Sequence, residues 1–442
     1  MKETKTMNKD KEKIFELVKD YYHKYHGNKE YKKGDYVAYA SRVFDENEMI
    51  NLIDASLDFW LTNSDYTTKF EEALGKNLGV KYVSFVNSGS SANLLALATL
   101  MSYQLEDRRV NEGDEVITVA CGFPTTIAPI IQLGLVPVFI DITVPEYNID
   151  ISKLEDALTD KTKVVFLAHT LGNPFDLKYI KEFCDKHNLW LIEDNCDALG
   201  SKYDDKYTGS FGDIATSSFY PAHHITTGEG GAVYTNNALL HKIVRSLRDW
   251  GRDCICPSGK DNLCQKRFEG DYGLLPHGYD HKYVYSHFGY NLKATDLQAA
   301  IGLAQIEKIN DFVEKRISNF NYLNDKLIEN KLDKYFILPK KTNNSIPSWF
   351  GYILTVKEGI DCLTITNYLN SNNIQTRKLF AGNIIKQPCF DEFRESDNYR
   401  IVANLDNTDY VMENTFWLGV APSINKEMLD YIIEKLIEAV NL

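Results

Sequence analysis

The stretch Ser217-Ser218-Phe219-Tyr220-Pro221-Ala222-His223-His224-Ile225-Thr226-Thr227-Gly228-Glu229-Gly230-Gly231 reads as a loop hung between two strands. Ile214 to Tyr220 leads into it as an apolar run, and Ala232 to Thr235 leaves it as a second strand. Two adjacent histidines stand among hydroxyls. Gly228, Gly230 and Gly231 allow a tight turn and a close backbone approach. Reactive side chains gathered at a strand end mark an active-site loop on a rigid scaffold.

Working outward, a regular alternation starts upstream. Tyr82 to Asn87, Glu115 to Ala120, Pro137 to Ile142, Val164 to His169 and Trp190 to Asn195 read as strands. Helical patterns separate them: Leu94 to Met101, Ile151 to Leu158 and Lys178 to His187. Apolar strands alternating with helices predict an α/β protein with a mainly parallel, seven-stranded sheet covered on both faces. In such sheets ligands bind beyond the carboxyl ends of the strands. Ser88–Ser91, Gly122–Thr126, Asp194–Asp197 and Ser218–His224 all lie at such ends, so one shared site is expected from four separate stretches.

The flanks complete the outline. Ile14, Leu17, Val18, Tyr21, Tyr22 and Tyr25 recur at helical spacing, so residues 1–45 read as a helix and arm packing on the main body or on a second subunit. The large α/β domain spans 46–318. Within it the periodicity lapses over 250–288, which reads as an insertion carrying Cys254, Cys256 and Cys264. Asn291 to Ile309 reads as a helix, and residues 319–442 as a smaller α+β domain closing on an amphipathic helix, Met428 to Val440.

Composition narrows the function classes. Of 442 residues, 44% are hydrophobic and 25% charged, as in an ordinary globular protein. The net charge of −13 argues against a nucleic-acid partner for the whole surface, though it leaves room for a local phosphate pocket. Met1 to Lys13 is charged with no apolar stretch behind it, so neither a signal peptide nor a membrane span is expected. Eight cysteines in a cytoplasmic, reducing setting are then thiols, catalytic groups or metal ligands.

Several residues carry chemistry by type and place. Asp194 ends a buried strand, where a carboxylate needs donors or a cation; a protonated pyridine nitrogen and a helix cap satisfy it equally well. Ser88-Gly89-Ser90-Ser91-Ala92 opens a helix after a strand and offers an anion cradle, or a simple N-cap. Phe123 follows a strand end and is placed either to stack on a planar ring or to fill core. Cys196 stands two residues after Asp194. With the three cysteines of the insertion it makes a set of four thiols suited to zinc or an iron–sulfur cluster, although the spacing matches no common CxxC zinc pattern. Cys121, Cys184, Cys362 and Cys389 read as isolated thiols.

From about Tyr66 to Leu442 the chain resembles the sugar aminotransferase/dehydratase family, the DegT/DnrJ/EryC1 group of pyridoxal-phosphate-dependent enzymes acting on nucleotide-linked keto-sugars. The carriers are Asn87-Ser88-Gly89-Ser90-Ser91-Ala92, Glu193-Asp194-x-x-x-Ala198-Leu199-Gly200, Ser218-Phe219-x-x-x-His223-x-x-x-x-Gly228-x-Gly230-Gly231, and Gly289-Tyr290-Asn291-Leu292-Lys293-Ala294-Thr295-Asp296-Leu297-Gln298-Ala299-Ala300. The resemblance implies the aspartate aminotransferase-like fold, type I of the pyridoxal-phosphate-dependent transferases. It implies that Gly89, Ser90 and Ser218 bind the cofactor phosphate, that Phe123 stacks on the ring and that Asp194 holds the ring nitrogen. Asn291 would reach the phosphate on the other subunit of a homodimer with shared sites. Asp197 stands where the family has Gln or His beside the cofactor.

One departure is informative. His223 replaces the lysine that binds the cofactor covalently in most of the family, and imidazole forms no such bond. The subgroups with histidine here are 3-dehydratases, and one carries a [2Fe–2S] cluster on four cysteines. Cys196, Cys254, Cys256 and Cys264 resemble that ligand set. The expectation is therefore a non-covalent pyridoxamine (or pyridoxal) phosphate enzyme with a [2Fe–2S] cluster. It removes the carbon-3 hydroxyl of CDP-4-keto-6-deoxyglucose, with His223 as general base and an NADH-dependent flavin/iron–sulfur reductase as partner. By family, the product enters 3,6-dideoxysugar and lipopolysaccharide O-antigen biosynthesis. A cluster-free dehydratase of another nucleotide sugar, and a non-enzymatic member of the fold, are the alternatives. The second is disfavoured because Asp194, Ser218 and Asn291 are retained alongside His223. His224 is expected to serve loop structure, and Tyr220 to line the site.

Overall fold

The computed structural model describes residues 8–27, 30–254, 256, 261–263 and 265–442. Seven strands come from the stretches expected: β1 (Tyr82–Val86), β2 (Glu115–Val119), β3 (Val136–Ile140), β4 (Thr162–Ala168), β5 (Trp190–Asp194), β6 (Ile214–Ser218) and β7 (Gly231–Thr235). Four more follow: β8 (Phe336–Ile337), β9 (Gly351–Val356), β10 (Arg377–Lys378) and β11 (Arg400–Ile401), before β12 (Thr415–Gly419). The large sheet runs β1-β7-β6-β5-β4-β2-β3-β11. Its pairings are parallel from β6 to β11, while β7 lies antiparallel between β1 and β6.

The sheet thus has eight strands, not seven. The eighth, β11, is two residues long and reaches the β3 edge from far downstream. So short a strand has no period to read, and pairing with β3 alone defines it.

The first helices are α1 (Lys9–Tyr25), which packs on α2 (Glu46–Asp58), and then α3 (Asp65–Leu78), α4 (Gly89–Leu100), α5 (Pro124–Gln132), α6 (Leu177–Lys186) and α7 (Ala238–Arg248) against the sheet. Beyond them lie α8 (Asp296–Ile306), α9 (Ile309–Glu329), α10 (Cys362–Ser371), α11 (Asp406–Asn414) and α12 (Lys426–Ala439). Apolar clusters pack on each face of the sheet, one around Ile117, Val138 and Leu191, the other around Leu95, Phe166 and Ile192. A separate cluster around Leu323, Leu354 and Leu436 fills the space under the antiparallel sheet β8-β9-β12-β10. Among the described residues no helix is long and apolar enough to cross a membrane.

Two helix expectations change. Ile151 to Leu158 is two short 3-10 turns, Ile151–Lys153 and Glu155–Ala157, because so few residues cannot offset helix nucleation. The helix read from Asn291 starts only at Asp296. Thr295 accepts from the Gln298 amide while the Gln298 side chain accepts from the Thr295 amide, a capping box that sets the start. Asn291 itself lies in an extended bridge with Asp249.

The start of α8 also holds α3 in place. Ser64, at the N-cap of α3, makes no side-chain cap. The buried Asp296 carboxylate supplies it instead, accepting from the Ser64 amide at 2.7 Å, the Tyr66 amide at 3.1 Å, and the Thr67 amide and hydroxyl at 3.0 and 2.7 Å. A carboxylate there also complements the helix dipole. Asp296→Ala strands these buried donors and is expected to cost about 2–3 kcal/mol, read as a lower urea midpoint. Asp296→Asn, which retains an acceptor, should recover part of the loss.

Candidate active site

The carboxyl ends of the strands open into a cleft of about 830 Å³, roofed by β10, β12 and the turn after β10. Ser88, Gly89, Ser90, Phe123, Asp194, Cys196, Asp197, Ser218, Tyr220 and His223 all line it. One space therefore holds candidates from four separated stretches. Asn291 does not line it; its side-chain oxygen accepts from Lys293 Nζ at 2.8 Å.

Asp194 sits at the end of β5, 4% exposed. Its Oδ2 accepts from Asn93 Nδ2 at 2.8 Å, on α4, and from Thr126 Oγ1 at 2.7 Å, on α5. Its Oδ1 accepts from the Cys196 amide at 3.1 Å. Among the described residues no cationic side chain forms an ion pair with it. A buried, hydrogen-bonded carboxylate aimed into a cleft is the complement of a cationic N–H, which a protonated pyridine ring provides.

The N-terminus of α4 faces the same space. Ser88 uses its hydroxyl on the Ser91 amide and so leaves the Gly89 and Ser90 amides at the mouth of the helix. A Cβ at Gly89 would stand 2.4 Å from Ser218 Cβ. Only glycine lets the helix mouth meet the end of β6 closely enough to bring these amides and the Ser218 hydroxyl together. Amides, hydroxyls and the helix dipole make a cradle for a phosphate. Phe123 caps α5 with half its surface exposed, its ring 6.3 Å from Phe380 and edge-on to it. The donor set, the cradle and the exposed ring fit a phosphorylated pyridine cofactor held without a covalent bond. Among the described lining residues there is one lysine, Lys378. Its ammonium donates to the Glu413 carbonyl at 2.8 Å, and also contacts the Met412 carbonyl and Cys362 Sγ.

His223 is a half-buried ring whose centroid lies 5.2 Å from that of Phe350, tilted to it. Its amide donates to the Tyr220 carbonyl and its carbonyl accepts from Arg316 Nη2 at 3.3 Å. Its Nδ1 stands 3.4 Å from Asp197 Oδ1, without hydrogen-bond alignment. Burial and the nearby Arg316 charge push the imidazole down to about 4, although Asp194 pulls the other way. Burial first, then repulsion from Asp194, lifts the Asp197 carboxyl to about 8. At neutral pH the two therefore face each other as an uncharged acid and an uncharged base rather than as an ion pair. His224 turns away: its Nε2 donates to the Ser348 carbonyl at 2.7 Å and burial holds it neutral.

Three of the expected metal ligands, Cys196, Cys254 and Cys256, lie among the described residues. Cys196 lies in the cleft, and burial raises its thiol well above the usual range. Cys254 sits beside Cys256, and burial raises its thiol too. Cys264 lies outside the described residues. Among the described residues no three cysteine, histidine or carboxylate side chains converge as a metal site.

Tyr39, Phe350, Arg377, Phe380 and Trp417 line the cleft without having been singled out from the sequence. They come from single positions in the arm, in short strands and in turns, where no spacing distinguishes them.

Residues 44–437 match the model of the DegT/DnrJ/EryC1/StrS aminotransferase family. The lipopolysaccharide biosynthesis protein RfbH of Salmonella typhimurium is 50% identical over 98% of both chains. A dTDP-4-dehydro-2,6-dideoxy-D-glucose 3-dehydratase of Saccharopolyspora spinosa is 46% identical, over 97% of this chain and 92% of its own. Among solved structures, the Escherichia coli GDP-4-keto-6-deoxy-D-mannose 3-dehydratase with bound hydrated pyridoxal phosphate aligns with a TM-score of 0.80. It is 29% identical and covers 91% of this chain and 99% of that one. The fold is that of the pyridoxal-phosphate-dependent aminotransferases.

The raised Asp197 value gives a pH prediction. Between the ordinary carboxyl range and about 8, the unfolded chain has lost a proton that the folded chain keeps. Wild-type stability should therefore fall relative to Asp197→Asn as pH rises from 5 to 8, by up to about 1.4 kcal/mol per pH unit. Urea midpoints of the cofactor-free proteins measure it; parallel curves would refute the neutral acid.

Proposed function

The chain belongs to the DegT/DnrJ/EryC1/StrS aminotransferase family, and from that premise we propose that it removes the carbon-3 hydroxyl of a nucleotide-linked 4-keto-6-deoxysugar. The carrying observation is an imidazole, His223, lining the cleft where most of the family presents lysine, while the one lysine among the described lining residues is turned onto backbone carbonyls. Two relatives are named as 3-dehydratases of dTDP- and GDP-linked sugars, which supports the same reaction class.

A bound pyridoxal- or pyridoxamine-type cofactor supplies an electron sink. The residues of this chain do the rest. Gly89, Ser90 and Ser218 bind its phosphate, and Phe123 covers one face of its ring. Asp194 keeps the proton on the ring nitrogen. With the cofactor bound, His223 would act as general base on its 4′ carbon and could return that proton to the departing hydroxyl. Asp197 stands against the other side of that imidazole.

In its finer form the proposal makes CDP-4-keto-6-deoxyglucose the substrate and pyridoxamine phosphate the cofactor. It places a [2Fe–2S] cluster on Cys196, Cys254, Cys256 and Cys264 and adds a separate reductase and a homodimer with shared sites. Adjacency of Cys254 to Cys256, and Cys196 in the cleft beside Asp194, support the cluster. A second reading, a cluster-free dehydratase of another nucleotide sugar, is kept because Cys196 does not converge with Cys254 and Cys256 among the described residues.

Three outcomes follow. His223→Asn should abolish water elimination while cofactor absorbance on binding is unchanged; retained turnover would remove the base from this role. Borohydride treatment of the pyridoxal-phosphate-loaded protein should leave its mass unchanged, since no lysine is bonded to the cofactor. Anaerobically purified protein should hold about two irons and two acid-labile sulfides per chain. A colourless, iron-free protein after reconstitution would select the second reading.

A further inference from the structure

We propose that Arg377, laid against Tyr39 at the rim of the cleft, holds the diphosphate of the sugar nucleotide, an assignment that rests on the substrate class proposed above. Arg377 and Lys378 supply the only arginine and lysine among the described lining residues. The Lys378 ammonium is spent on carbonyls beyond the cleft. Arg377 has no carboxylate partner among the described residues; one Nη1 donates to the Thr376 carbonyl at 3.3 Å. The residue is exposed. Asp194, Asp197 and Glu229 also line the cleft. An anionic ligand entering such a space needs a fixed cation, and a diphosphate is matched by a guanidinium fork.

The guanidinium is held by design of the fold. Its carbon lies 4.5 Å from the Tyr39 ring centroid. Tyr39 belongs to the N-terminal arm, and three features fix it. Val37 bridges Ile374, with its amide donating to the Asn373 carbonyl at 2.8 Å and its carbonyl accepting from the Gln375 amide at 3.0 Å. The Tyr39 amide donates to Gln375 Oε1 at 3.2 Å. A Cβ at Gly419 would stand 2.1 Å from the Tyr39 carbonyl oxygen, so glycine alone admits the arm. The preorganised arginine loses little freedom on binding an anion.

The placement also suits a sugar nucleotide. A continuous wall of rings joins His223 to Arg377. His223 lies 5.2 Å from Phe350, Phe350 lies 5.4 Å from Trp417, and Trp417 lies 5.0 Å from Tyr39 under the arginine. Both ends of that wall line the one cleft, the imidazole at one end and the guanidinium at the other.

Calorimetry on the pyridoxal-phosphate-loaded, full-length protein tests it, with CDP, GDP and dTDP as probes and the tightest carried forward. Arg377→Ala should weaken that diphosphate about ten- to a hundredfold. The cofactor spectrum and Tm should be unchanged. Arg377→Lys should recover part of the affinity, and Tyr39→Leu should lose less than Arg377→Ala. Inorganic pyrophosphate should compete in the wild type and not in Arg377→Ala. Equal affinities in wild type and Arg377→Ala would overturn the assignment while leaving the sugar-nucleotide reading standing. A wild type that binds none of the three diphosphates would overturn both.

Discussion

A buried carboxylate without a cationic partner organises this molecule. Asp194 ends the central strand β5, and its oxygens collect donors from α4, α5 and the turn that follows the strand. Those contacts tie three chain segments to one point at the carboxyl edge of the sheet. Burying such a charge is costly unless donors surround it, and the remaining demand is for a positive N–H from the cleft side. Neighbouring site elements are tied to that oxygen pair. The mouth of α4 lies beside it through Asn93, and Cys196 and Asp197 follow in the same turn.

The same burial sets the proton inventory. Asp197 stands close to Asp194 and loses its charge to that repulsion and to desolvation. His223 is neutral for the matching reason, with Arg316 adding its own positive field from behind the loop. Arg316 is itself buried with no ion pair among the described residues, its guanidinium donating to the Trp349, Phe350 and His223 carbonyls. It thus pins the histidine loop to the antiparallel sheet and biases the ring toward its base form. The chemistry on the cleft floor is therefore controlled by which charges the fold excludes from water, more than by hydrogen bonds between the reacting groups.

Much of the fold was legible because strands β1 to β7 are runs of five to seven residues, buried over most of their length and bounded by helices. The cleft floor was legible because binding loops follow strand ends. What failed to read was short or relational. β11 is two residues with no period, visible only through its pairing with β3. The start of α8 was placed too early because apolar spacing continues upstream while the capping box at Thr295 cuts it off. Ile151 to Leu158 has helical spacing but too few residues to sustain more than two turns of 3-10 helix.

By itself the sequence determined the order of strands and helices and the identity of the groups offered to chemistry: an aspartate at a strand end, glycine at a helix mouth, histidine in place of lysine. Those are local properties of residue type and spacing. Tertiary structure decided what depends on distance across the chain. It turned Lys378 onto carbonyls, set Tyr39 beneath Arg377 from the far end of the sequence, and left Asn291 outside the cleft of its own subunit. It also neutralised Asp197 and His223. The physical reason is common to all of these: desolvation and long-range contact are properties of the packed molecule, and no sequence window of a few residues contains them.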